Sequence, residues 1–355
     1  MKDVGSSGLH LRLLFWESTA RCNLRCAHCR RLAVDEGAGD ELSTHEARRL
    51  IDSAAELGRP IFVFSGGEPL LREDWQALAE HARRKGLPTA LATNGTLIDA
   101  DLAGRIAAAG FHRVAVSLDA ADAERHDTFR GLGGAFKAAV RGIGALRKAG
   151  AAVQINSTIF AGNVDQLDEI HRLAGRLGAA ALHLFILVPV GCGLQLAERE
   201  QLSPPQCEDL LWWVCRRQAE GTIEIKATCA PQYHRVGSRW LNENAQASGA
   251  EHVRAALRGR GCLAGIAVAF ISHSGEVFPC GYLPVSCGNV RRRRLAEIWE
   301  ESPVLAELRN FDLLAGNCGR CEYKSACGGC RARAFAATGE WTAADPICAY
   351  RPPDR

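Results

Sequence analysis

"FWESTARCNLRCAHCR", residues 15–30, decides how this chain is read. An apolar run is followed by Cys22, Cys26 and Cys29 in the spacing C-x3-C-x2-C. A thiolate triplet this tight suits three corners of an iron–sulfur cube, and such clusters normally take four ligands. One iron is then left open, as in a catalytic metal site rather than a structural one. A structural zinc knuckle would need a fourth protein ligand close by, and none is evident beside the triplet.

Around this triplet, short apolar runs alternate with amphipathic stretches. Strands are expected at 11–18, 61–66, 89–94, 113–119, 153–160 and 181–190, and helices near 44–57, 73–85, 99–110, 135–149 and 163–177. Ser43 and Gly58 bracket the first helix, and Asp99 and Asn163 stand at comparable cap positions. Six strands with five helices between them form a parallel α/β pattern, which fits an open doubly wound sheet or a partial barrel. In both, functional loops lie at the carboxyl ends of the strands.

Residues 191–255 read as a helical bridging segment, entered through "SPPQCEDLLWWVCRRQAEG", where Cys207 and Cys215 beside Trp212 and Trp213 look like core packing. From 256 to 355 cysteines dominate and periodicity fades, as in a small lobe that replaces a core with metal bonds.

Composition narrows the function classes. A net charge of +3 over 355 residues gives no electrostatic case for nucleic acid. The one basic run, Arg291–Arg294, reads as a solvated turn. No apolar stretch approaches the ~20 residues of a membrane span, and the N-terminus lacks a signal-peptide core. A cytoplasmic location is expected, where fifteen cysteines are better read as metal ligands than as disulfides.

The triplet after strand one of such a chain resembles the radical S-adenosylmethionine (SAM) superfamily. The resemblance implies an α/β fold, a partial (β/α)6 TIM-type barrel, and a 4Fe–4S cluster whose open iron is chelated by the methionine part of SAM. One electron from the cluster then cleaves SAM to a 5′-deoxyadenosyl radical. His28 stands where the family usually has an aromatic residue, and is expected to pack near the cluster or the adenine.

"SGGEPL" (65–70) looks like the family's motif for the SAM amino group, through Gly66, Gly67 and Glu68. "ATNGTL" (92–97), with Asn94, and "VSLDA" (116–120), with Ser117 and Asp119, fall where relatives meet the ribose and methionine moieties. Arg130 in "HDTFRG" matches the position that holds the SAM carboxylate, and Asn156 and Val188 would flank the adenine.

Eight cysteines lie beyond Gly261: Cys262, Cys280, Cys287, Cys318, Cys321, Cys327, Cys330 and Cys348. "IAVAFISHSGEVFPC" (266–280) reads as a β-hairpin turning at Ser274–Gly275. On spacing alone the C-x2-C pairs are also common zinc ligands. The order resembles the SPASM extension of radical SAM enzymes, except that Cys327 to Cys330 is a two-residue interval where the family has three. The resemblance implies one or two auxiliary iron–sulfur clusters. One would use Cys318, Cys321, Cys327 and Cys348. The other would use Cys262, Cys280 and Cys330, completed by Cys287 or a non-protein ligand.

The whole pattern is similar to the radical SAM enzymes that modify iron tetrapyrroles, the heme-biosynthesis branch of the family, through "FWESTARCNLRCAHCR", "HLFILVPVGCG" and "IKATCAPQYHRV". The resemblance implies oxidative decarboxylation of iron-coproporphyrin III propionates to the vinyl groups of heme b. It also implies a tetrapyrrole substrate and a one-electron donor such as flavodoxin or ferredoxin. Cys229, Tyr233 and His234 would be candidate axial ligands to substrate iron, with Cys192 near the substrate mouth. Arg30, Arg31 and Arg235 are candidates to clamp propionates. The alternatives are another tetrapyrrole side-chain reaction, a SPASM peptide maturase, and a non-catalytic metal-binding scaffold.

Overall fold

The computed structural model describes residues 10–31 and 39–353, so part of the N-terminal stretch tested for a signal peptide lies outside the described residues. Strands β1 (Leu13–Glu17), β2 (Ile61–Ser65), β3 (Thr89–Thr93), β4 (Arg113–Ser117), β5 (Val153–Ile159) and β6 (Ala181–Ile186) fall within the six expected runs. They pair in parallel in chain order. Alternation sets their two faces. Leu14, Trp16, Phe62, Phe64, Val114, Val116, Ile155, Leu182 and Leu184 are buried in the main core with the helices. The residues between them, including Phe15, Ser65, Ser117, Asn156 and His183, face the inner, concave side.

The helices Thr44–Glu56, Trp75–Arg84, Ala100–Ala109, Ala135–Lys148 and Leu167–Arg176 lie where expected. Ser43 and Glu46 form a reciprocal capping box, and the Asp99 carboxylate accepts from Leu102 N. Asn163 does not cap its helix. It is fully buried, and its amide donates to Asp119 O and Thr158 O while accepting from Phe160 N. A helix at Ala123–Arg130 escaped the periodicity reading because "AERHDTFR" is polar on nearly every face. It forms between the Asp122 cap and the left-handed Gly131.

The sheet does not stop at β6. The segment read as a helical bridge contributes β7 (Glu224–Thr228), parallel to β6. The C-terminal hairpin is β8 (Val268–Ile271) and β9 (Glu276–Phe278), turning through Gly275 at φ 85°. With β10 (Gly288–Asn289) it extends the sheet on its other side, because β8 pairs in parallel with β1. The cysteine-rich lobe thus shares a hydrogen-bonded sheet with the barrel. Arg291 is not a solvated turn residue. Its guanidinium meets Glu46 at 2.8 Å and Asp40 at 2.5 Å, tying the C-terminal lobe to the first helix.

Candidate active site

The Cys22–Cys29 loop leaves the carboxyl end of β1 and is pressed from three sides. A Cβ on Gly67 would lie 2.2 Å from Arg21 O, one on Gly131 2.4 Å from Arg25 O, and one on Gly191 2.3 Å from Arg30 O. These glycines follow β2, β4 and β6, so three separate crossovers hold the loop where no side chain fits. Gly67 N and Glu68 N donate to Thr19 O and Arg21 O, and Cys192 N donates to Cys29 O. The Cys192 thiol donates to Arg31 O, so this residue braces the loop.

The three thiols act on one another electrostatically. Surrounding protein pushes the Cys22 thiol up to about 11 against a hydrogen bond from Leu24 N, and Glu68, Cys26 and Cys29 push it the same way. Arg130 Nη1 donates to Cys26 Sγ at 3.7 Å, and its Nε meets the buried Asp119 at 2.6 Å. Burial opposes ionisation of Asp119, but Arg130 with His28 and His126 outweighs it and holds the carboxyl near 2. Asp119 also accepts from Thr158 N at 2.8 Å. It therefore orients Arg130 beneath the cysteine loop, where a ribose partner was expected.

Glu68 is likewise turned inward. It accepts from Thr93 Oγ1, Leu70 N and Asn94 N, and burial raises it to about 7 against those hydrogen bonds. Asn94 donates to Asn23 Oδ1 and so braces the loop from β3. His28 stacks on Phe129, which stacks on Phe160, each with centroids 4.1 Å apart. Its imidazole is held neutral, near 3, by burial. Ser117 and Asn156 pair across β4 and β5, with Asn156 accepting from Gln154 at 2.7 Å. Val188 packs with Leu283 and Cys330.

In the C-terminal lobe, Cys318, Cys321, Cys327 and Cys348 line one pocket. Cys318 Sγ accepts from Asp345 N and Arg331 Nη2, and Cys327 Sγ from Gly329 N. Such N–H···S contacts steady a thiolate-bound cluster and tune its potential. Cys330 is absent from that pocket and packs with Cys280 and Cys229 instead. Gly328 and Gly329, at φ 74° and 62°, make the crossing possible in two residues, and a Cβ on Gly329 would sit 2.9 Å from Cys318 Sγ. Between the two groups lies a fully buried ion pair, Arg333–Asp345, at 3.1 Å. Cys287 stands apart: burial, Ser302, Arg309 and Glu276 set its thiol's ionisation, with no other cysteine among them.

Among the described residues no three cysteine, histidine or carboxylate side chains converge closely enough for one metal ion. Soft thiolates with N–H donors at their sulfurs suit zinc or an iron–sulfur cluster.

Two family models match the chain: the radical SAM superfamily over residues 16–176, and SPASM, an iron–sulfur cluster-binding domain, over 262–331. An AdoMet-dependent heme synthase of Methanosarcina barkeri is 45% identical over 96% of this chain and 97% of its own length. The chain belongs to the radical SAM superfamily. As a radical SAM enzyme with a SPASM domain, it carries a 4Fe–4S cluster with S-adenosylmethionine and auxiliary iron–sulfur clusters. A second Methanosarcina barkeri relative, Fe-coproporphyrin III synthase, is 35% identical over 95% of this chain and 87% of its own. The fold is shared with anSMEcpe with bound AdoMet, at TM-score 0.68 and 20% identity over 92% and 90% of the two chains. It is also shared with Streptococcus suis SuiB bound to S-adenosylmethionine, at 0.71 and 16% over 96% and 78%. Among the described residues no helix is long and apolar enough to cross a membrane.

The radical SAM residues expected to meet substrate are mostly engaged elsewhere. Tyr233 is buried and donates to Gln218 Oε1. His234 meets the Tyr233 ring edge to face at 6.2 Å, and Cys229 packs with Cys280 and Cys330. Arg30 and Arg31 pair with the buried Glu17 at 3.0 and 3.2 Å, and Arg235 pairs with Glu208. None of the three arginines is a free propionate clamp.

Sequence reasoning missed a different set on the inner wall. Asn156 pairs with His183 on β6, and His183 with Lys226 on β7, extending the Ser117–Asn156 row across two more strands. Arg113 faces the same side from the amino end of β4, where its Nη2 pairs with Glu224 at 3.6 Å. His183 Nε2 and Arg113 Nη1 are buried without a hydrogen-bond partner. The signal was a basic residue at an alternate position of an apolar strand, in "ALHLFI", "EIKAT" and "RVAVS".

Proposed function

We propose that this enzyme is an AdoMet-dependent heme synthase. It converts two propionates of iron-coproporphyrin III to vinyl groups, giving heme b. The observation that carries this reading is the basic inner wall. The concave barrel face presents His183 and Lys226 side by side on β6 and β7, as a substrate with several carboxylates requires. Likeness to three AdoMet-dependent heme synthases at 42–45% identity supports it.

Cys22, Cys26 and Cys29 hold the cluster and S-adenosylmethionine, which together supply a hydrogen-abstracting 5′-deoxyadenosyl radical. Gly66 and Gly67 keep the loop close enough for backbone groups to meet the methionine end. Glu68, Asn94, Asp119 and Arg130 fix that loop, and Ser117 and Asn156 line the barrel side of the ligand. Lys226 and His183 hold substrate carboxylates, so that a propionate β-carbon faces the abstracting carbon. Loss of one hydrogen atom, then of carbon dioxide and one electron, leaves a vinyl group at each site. Cys318, Cys321, Cys327 and Cys348 hold one auxiliary cluster as a one-electron acceptor. A flavodoxin- or ferredoxin-type protein serves as donor to the first cluster, in the cytoplasm.

The test is anaerobic incubation with iron-coproporphyrin III, S-adenosylmethionine and a reductant. Mass spectrometry should show loss of two carboxyl groups matched by two 5′-deoxyadenosines. Cys26→Ala should abolish both. Unchanged porphyrin mass with continued S-adenosylmethionine cleavage would refute the substrate assignment.

A further inference from the structure

Cys229 is, among the described residues, the one non-glycine residue with a left-handed backbone, at φ 56°. A side chain with a Cβ is disfavoured there, and such outliers persist where surrounding structure over-determines them. Two features fix this one. Cys229 follows directly on β7, and its carbonyl accepts from Arg333 Nη2 at 2.8 Å. Arg333 is itself locked to Asp345, which accepts from Cys330 N at 2.7 Å. The network that sets the Cys229 backbone therefore also sets Cys330.

The thiol packs in the same small cluster as Cys330 and Cys280. Cys262 is positioned by its N–H to Cys327 O. Cys287, the other candidate for a fourth place, packs in the main core instead, apart from the cluster that holds Cys229, Cys280 and Cys330.

We propose that Cys229 is the fourth ligand of the second auxiliary cluster, completing a set with Cys262, Cys280 and Cys330. The assignment rests on that trio sharing one cluster and is independent of which substrate the enzyme takes. Four cysteines close the coordination of a cube, so this cluster has no vacant iron on which to bind substrate. It acts by electron transfer alone.

Cys229→Gly provides the test, because glycine accepts φ 56° without strain while removing the thiol. It is made in a chain whose Cys22, Cys26 and Cys29 are already alanine, so that only auxiliary clusters remain. After anaerobic reconstitution, iron should fall from about eight to about four per chain, or mild oxidation should give a three-iron signal in electron paramagnetic resonance. Cys229→Ser should restore the iron with a shifted spectrum, since an oxygen ligand replaces sulfur. Cys287→Ser should keep the full complement and the parent spectrum. Full iron and an unaltered spectrum in Cys229→Gly would overturn the proposal, as would cluster loss in Cys287→Ser. If Cys229 is only a strained core residue, the glycine variant keeps both clusters and melts higher.

Discussion

Replacing Arg333 by methionine tests the buried ion pair at the centre of the C-terminal lobe. Both partners are fully shielded from water, and the guanidinium reaches Asp345 at 3.1 Å and Cys229 O at 2.8 Å. Methionine keeps comparable bulk but leaves the Asp345 carboxylate unpaired in the interior. Removing one partner of such a pair costs about 3–5 kcal/mol. Near 2 °C per kcal/mol for a chain of this size, the melting temperature should drop by roughly 6–10 °C. Anaerobic differential scanning calorimetry of the cluster-loaded protein measures this. Arg333→Met/Asp345→Asn should recover part of the loss, because the stranded charge is gone. A single variant melting within about 2 °C of the parent would refute the reasoning, since it falls below the smallest loss expected from stranding that carboxylate.

Gly67→Ala drives a Cβ to within 2.2 Å of Arg21 O, so the cysteine loop must retreat. Iron should fall by about four per chain, and unchanged iron with full S-adenosylmethionine cleavage would count against the clamp. Glu68 is raised from 4.5 to about 7 by burial, so its contribution to stability is full below pH 4.5 and is lost as pH rises through 7. The swing is about 3 kcal/mol. Without S-adenosylmethionine, the fall in unfolding free energy between pH 5.5 and 8 should flatten in Glu68→Gln, and an identical slope in both proteins would contradict the assignment. Tyr233→Phe removes one hydrogen bond to Gln218 and should cost about 1 kcal/mol, while leaving the visible spectrum of bound iron porphyrin unchanged. A shifted Soret band would restore Tyr233 as an iron ligand. Lys226→Gln should raise KM for iron-coproporphyrin III more than it lowers kcat, measured by product formation, and an unchanged KM would remove Lys226 from the substrate wall.

The six central strands and their helices could be read in the chain because alternation and caps are local properties. β7 could not, because "EIKAT" is too short to show a period; the hairpin that holds β8 was legible, but its place beside β1, like that of β7 beside β6, is set by tertiary packing. The first cysteine triplet was clear because its ligands are contiguous. The second auxiliary group was not, since Cys229 precedes Cys262 by a helical stretch and only the fold unites them. The arginines picked as clamps failed for a related reason: sequence displays a charge without its counter-charge. Glu17 and Glu208 had already claimed them.

The three glycines pressing on the cysteine loop also bear on when the enzyme can be armed. The loop is made early, but its last clamp, Gly191, emerges about 160 residues later, which at about 5–20 residues per second is on the order of 10–30 s. Through that interval the three thiols have no enforced geometry and are open to oxidation or to stray metals. Iron–sulfur delivery therefore has to wait on the sixth strand, and a ribosome stalled before it yields a chain with every ligand of the first cluster and no shape in which to hold one.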